Sequence, residues 1–116
     1  MYSVYWNKPL TEHFNVEAES LRPAACILRY PLTDYIAMKG LVANELLSKK
    51  ISNAANIAYF GTTLPSEELS LRTSPARLVD SATPPTFLWT TYDDTLTPTQ
   101  QTLAYAQGLS ENKIPF

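Results

Sequence analysis

Two short apolar runs constrain this chain more than anything else in it. Ala24-Ala25-Cys26-Ile27-Leu28 lies between Pro23 and Pro31, and Thr86-Phe87-Leu88-Trp89 follows Pro84-Pro85. Each is too short for a helix and has no alternation of apolar and polar residues, so each predicts a strand buried on both faces. Proline supplies no donor to a ladder, which makes Pro31 the end of the first run. The stretch between the runs is rich in helical signals. Strands joined by helices pair in parallel, so the chain predicts an α/β fold: a partial parallel sheet of about two complete strands with flanking helices. Two parallel strands do not make a stable sheet by themselves, and the chain therefore reads as part of something larger.

The helical segments can be placed from their punctuation. Leu41, Val42, Leu46 and Leu47 recur at helical spacing and predict a core-facing helix. Ser52 suits the N-cap of a second, short helix through Ile57, with Gly61 just past its end. Ser66 suits another N-cap, with Glu67 and Glu68 in the first turn, where acids complement the helix dipole. The segment from Ser74 to Pro85 predicts a short helix or turn. The strongest pattern starts at Thr97. There Thr97 is the expected N-cap, Pro98 the first helical residue and Gln100 the partner in a Thr-x-x-Gln capping box. Leu103, Ala106 and Leu109 fall on one face of that helix. Ile114-Pro115-Phe116 then reads as the opening of another strand. The first twenty residues show no clean period but carry Tyr2, Tyr5, Trp6 and Phe14. So many aromatics predict an arm that packs on something, on this chain or on another. Residues 1–116 thus read as one incomplete domain, with residues 1–20 as an aromatic arm.

Composition excludes several functions. Nine Lys and Arg against eleven Asp and Glu give a net charge of -2, which leaves no basic surplus for a phosphate backbone. No nucleic-acid partner is expected. Cys26 is the lone cysteine, so neither an intrachain disulfide nor a cysteine metal cage can form, and it reads as a small buried hydrophobe. No metal or cofactor is expected. No apolar stretch approaches the ~20 residues that cross a bilayer, and no secretory leader pattern is present. A cytoplasmic protein without a membrane partner is the expectation.

The chemistry-bearing residues gather just after the second run, in Thr90-Thr91-Tyr92-Asp93-Asp94-Thr95-Leu96-Thr97-Pro98. Two adjacent carboxylates between a strand end and a helix start are costly to desolvate unless something uses them. Aspartate also favours turns for its own reasons, because its side chain bonds the backbone two residues on, and both readings stand on the residues alone. Tyr92 suits a pocket wall or simple packing. Trp89 reads as core. The only histidine, His13, reads as a surface residue of the arm, with Ser3 and Ser20 as remote candidates for a nucleophile beside it.

The segment Pro84–Pro98, PPTFLWTTYDDTLTP, resembles the acid turn of α/β-hydrolases. It is closest to the esterase/lipase branch with acetyl esterases and feruloyl esterase-like proteins, whose pattern resembles PPTFLWHTADDxVVP. Upstream, RPAACILRYPLTDY resembles that branch's strand and turn, and LRTSPARLVDSATPP its SPxxxVxxxxPP segment. The resemblance covers residues 20 to 116, in the family's order and spacing. It implies that Asp94, four positions before Pro98, is the acid of a catalytic triad, holding a histidine in one tautomer while a serine attacks an ester. The departures are as clear. A Gly-x-Ser-x-Gly nucleophile elbow, a His-Gly-Gly oxyanion segment and a histidine after the acid are all missing from these 116 residues.

Two expectations follow. In the first, the chain is a fragment or truncated form of a serine carboxylesterase/lipase-like hydrolase, which carries the triad acid but is not competent alone; the intact family acts on small-molecule esters. In the second, it is a non-catalytic, oligomerising α/β module built on that scaffold. Under either, self-association or another chain is expected to cover the sheet edges.

Overall fold

A computed structural model describes residues 1–7, 9–41 and 46–116. In chain order the elements are α1 (Tyr2–Tyr5), α2 (Pro9–Phe14), α3 (Ala18–Leu21), β1 (Cys26–Arg29), α4 (Tyr35–Leu41), α5 (Leu46–Phe60), α6 (Glu67–Arg72), a 3-10 turn (Pro75–Arg77), β2 (Thr86–Trp89) and α7 (Thr99–Glu111). β1 and β2 pair in parallel, with Cys26 opposite Thr86 and Arg29 opposite Trp89. The fold is α/β, a two-stranded parallel sheet flanked by helices.

Side chains alternate across a strand, so this register splits the sheet into two faces. Cys26, Leu28, Thr86 and Leu88 point inward, and Leu28 and Leu88 pack against the core of Val4, Tyr105 and Leu109. Ile27, Phe87 and Trp89 point outward and remain exposed, Ile27 at 80% and Phe87 at 63%. The expectation of strands buried on both faces is thus met on one face only. Trp89 is not core: its ring meets Tyr30 edge-on at 4.8 Å and lies under the Arg29 guanidinium at 5.6 Å. Apart from these contacts at Trp89, Ile27 and Phe87 stay largely open among the described residues.

Residues of one strand alternate the edge toward which their amides point. The Pro85 carbonyl receives the Cys26 N–H at 2.8 Å, and the Trp89 carbonyl the Tyr30 N–H at 2.9 Å. Thr86 therefore faces the other edge, where its N–H donates to the Pro115 carbonyl at 3.0 Å. The expected strand opening at Ile114-Pro115-Phe116 is not a strand here, but its backbone already lies beside β2, opposite β1. The helix α7 forms the crossover between them.

The buried face of α7 differs from the expected one. Gln101, Thr102, Tyr105, Gly108 and Leu109 are buried, while Leu103 is 60% exposed. Gly108 lies on the buried face. A Cβ there would stand 3.1 Å from the Ala76 carbonyl oxygen and 3.1 Å from Val79 Cγ2, so glycine lets the helix lie against the 3-10 turn, and Leu103, about 140° round the helix from Gly108, is left outside.

The capping expectations divide. Ser66 caps α6 as expected, accepting the Leu69 N–H at 3.1 Å, with Glu67 and Glu68 in the first turn. Gly61 ends α5 with φ of +73°, a conformation glycine adopts without strain. Ser52 caps nothing; it lies inside α5, which is one continuous helix. At α7 the cap is Pro98, not Thr97, and no side chain caps the helix. The Thr97 N–H is bound instead by Asp94 Oδ1 at 2.8 Å, as part of the loop before the helix. Val42 lies outside the described residues, and for Leu41, Leu46 and Leu47 the backbone alone is described.

The aromatic arm packs on this chain. Val4 and Trp6 are buried. The Tyr5 hydroxyl donates to the Arg72 carbonyl at 2.5 Å, and Trp6 Nε1 donates to the Ala82 carbonyl at 3.1 Å. Ser3 and Tyr105 share a buried hydrogen bond of 3.0 Å. Phe14 stays exposed. No helix among the described residues is long and apolar enough to cross a membrane.

Candidate functional site

Parallel strands send their C-terminal ends to the same edge of the sheet. The loops leaving β1 and β2 therefore meet there, and this edge carries the chemistry-bearing residues. The loop from β2 holds Asp93 and Asp94 between Trp89 and α7. Asp94 is half-buried and Asp93 is exposed. Asp94 Oδ1 accepts the Leu96 and Thr97 N–H groups, each at 2.8 Å. This is the turn-forming habit of aspartate, and it holds the carboxylate in one orientation. Asp94 Oδ2 has no partner among the described residues. The carboxylate is thus oriented through one oxygen and open at the other.

The rest of this edge is a buried polar cluster that sequence patterns did not reveal. Gln101, in the first turns of α7, accepts the Thr33 and Asp34 N–H groups on Oε1 at 3.0 and 2.7 Å and donates from Nε2 to the Asp34 carbonyl at 3.2 Å. The Thr33 hydroxyl donates to the Gln101 carbonyl. Asp34 Oδ1 caps α4, accepting the Ile36 and Ala37 N–H groups at 3.0 Å each, and Asp34 Oδ2 pairs with Arg77 Nε at 2.9 Å. Burial pushes the Asp34 carboxyl up, but the Arg77 hydrogen bond, the two amides and the Arg77 charge outweigh it and hold it below its ordinary value. One signal was available for Asp34, since an aspartate just before a helix suits an N-cap. Nothing local marked Gln101 or Arg77.

The remaining candidates stand apart. Tyr92 is 95% exposed. His13 is exposed, with Phe14 edge-on at 4.8 Å. Ser3 is committed to Tyr105, and the Ser20 hydroxyl donates to the Glu17 carbonyl at 2.6 Å. The structure therefore pairs His13 with neither serine. Burial pushes the Cys26 thiol up, which suits a packed sulfhydryl rather than a nucleophile.

No family model matches the chain, and no curated protein matches it. Among solved structures it is similar to an acetyl ester-xyloside bifunctional hydrolase from Caldicellulosiruptor lactoaceticus, with 30% identity and a TM-score of 0.63. The match covers 83% of this chain but 30% of that one, so these residues span under a third of the hydrolase. The α/β arrangement described above is accordingly an esterase-like scaffold.

Proposed function

We propose that this chain supplies the acid of a serine carboxylester hydrolase and is not competent alone. In this reading it is a fragment or truncated form of such an enzyme, and Asp94 is the triad acid. The attacking serine, the histidine and the oxyanion donors come from polypeptide outside these 116 residues. Ester hydrolysis needs those groups together, and an acid without them has no proton to manage. The observation that carries the reading is the setting of Asp94. It follows a parallel strand, Oδ1 is bound by two loop amides, and Oδ2 is free to accept from an imidazole. Such a carboxylate stabilises the imidazolium as it forms. The neighbour's name makes acetyl esters and xylosides the first substrates to assay. A cytoplasmic setting is part of the proposal.

The test is a chimera in which these residues replace the matched stretch of the bifunctional hydrolase. Asp94→Asn is expected to keep the fold and lose on the order of 10⁴ in turnover, the scale seen when a triad acid is neutralised. Asp93→Asn is expected to cost far less. Equal losses, or a larger loss at Asp93, would place the acid elsewhere.

A second reading is a non-catalytic, self-associating module. It draws on the uncovered sheet face and on an accessible surface of 7610 Å², against about 6,300 Å² for a compact monomer of this mass. A discrete oligomer of the chain, together with a folded but inactive chimera, would favour it.

A further inference from the structure

The geometry points to Thr99 as a positioning residue for Asp94, an inference that rests on Asp94 being the acid. Thr99 opens α7, yet it does not cap the helix. Its Oγ1 reaches back along the chain and shares its one proton between the Thr91 and Tyr92 carbonyls, at 2.9 and 3.1 Å. Those carbonyls immediately precede Asp93 and Asp94. The Leu96 and Thr97 amides that hold Asp94 Oδ1 lie two and three residues after it. The loop is therefore tied at two levels: Thr99 closes its base and Asp94 closes its tip.

The anchor beneath Thr99 is firm. Two residues on, Gln101 is 1% exposed and takes both the Thr33 and Asp34 N–H groups. The start of α7 is thus locked to the loop leaving β1. Pro98, as the N-cap, has no side-chain acceptor to offer the helix amides, and a capping threonine would accept an amide rather than donate to carbonyls. The Thr99 hydroxyl consequently serves the loop. It transmits the fixed position of α7 to the carboxylate. Removing it strips the Tyr92 carbonyl of this donor, leaves the Thr91 carbonyl only the longer bond from the Thr90 hydroxyl at 3.4 Å, and lets residues 91–95 swing about the Asp94 turn. Small misplacements of a catalytic group have large kinetic effects.

The test needs no turnover, so it can fail independently of the triad assignment. Amide resonances of Leu96 and Thr97 are recorded for the chain, for Asp94→Asn, and for both in Thr99→Val, Thr99→Ala and Thr99→Ser backgrounds. In the wild-type background, Asp94→Asn is expected to shift both amides, because a charged acceptor is replaced by a neutral one. That response is expected to be lost with Val or Ala at position 99 and kept with Ser, while the Tyr105 and Leu109 amides stay in place throughout. An undiminished response in the Val and Ala backgrounds would overturn the proposal. So would a displacement of the Tyr105 and Leu109 amides equal to that at Leu96 and Thr97, which would mark Thr99 as a general support of α7.

Discussion

Arg77 donates from Nε to Asp34 Oδ2 at 2.9 Å, and the Asp34 side chain is only 8% exposed. The pair joins the 3-10 turn to the start of α4. With Gln101 it also fixes where the loop from β1 meets α7. Because its partners hold the folded-state pKa of Asp34 below the ordinary value, the unfolded chain binds the proton more tightly. The stabilisation is therefore fully present above the unfolded value of about 3.9 and is lost as pH falls through the lower folded value. Urea unfolding at pH 6 and pH 3 is expected to show a loss at pH 3 that is reduced in Asp34→Asn. At pH 6 the variant is expected to cost about 1.5–3 kcal/mol, the range for a hydrogen bond to a charged group. An unchanged acid response in the variant would remove Asp34 as its source.

Thr102 presents the opposite case. It is 7% exposed, and its hydroxyl is buried with no hydrogen-bond partner among the described residues. An unsatisfied buried hydroxyl costs about 1–3 kcal/mol. Thr102→Val keeps the shape and removes the polar atom, so the unfolding midpoint is expected to rise or stay level. A clear fall would reveal a partner for that hydroxyl.

Gly108→Ala sets two effects against each other. Alanine in a helix interior gains about 1 kcal/mol over glycine. The added Cβ would lie 3.1 Å from a backbone oxygen of Ala76 and 3.2 Å from Val79 Cβ. Neither neighbour is the far end of a flexible side chain, and valine has little χ1 freedom. Overpacking of this kind costs about 1–3 kcal/mol, so net destabilisation is expected in urea unfolding. A rise in stability would show that α7 can move off the 3-10 turn.

The outer sheet face predicts behaviour in solution. Ile27, Phe87 and Trp89 form an apolar side that is covered only at Trp89, by Tyr30 and Arg29, among the described residues, and the unpaired edge of β1 adds open amides. Sedimentation at low micromolar concentration is expected to show association, which Phe87→Lys reduces. The same variant is expected to change stability by less than about 0.5 kcal/mol, as at other exposed positions. A sharp wild-type monomer would refute this.

Residue order alone settled the parallel α/β arrangement and the positions of Ser66, Gly61 and the second strand. Those depend on local chemistry: run length, proline placement, capping side chains and the backbone freedom of glycine. The resemblance carried by residues 84–98 selected Asp94, and its loop shows how the carboxylate is oriented. Which faces are covered was not legible, because burial depends on what arrives from elsewhere in the chain. Ile27, Phe87 and Trp89 look like core by composition and are exposed. Leu103 reads as sharing a face with Leu109, yet six residues place it about 120° round the helix, and with Leu109 buried it stays outside. Gln101, Asp34 and Arg77 are ordinary polar residues far apart in sequence, and only the meeting of two loops at one sheet edge makes them a cluster. Tertiary packing decided these points because a hydrogen bond between distant residues leaves no periodic mark in either segment.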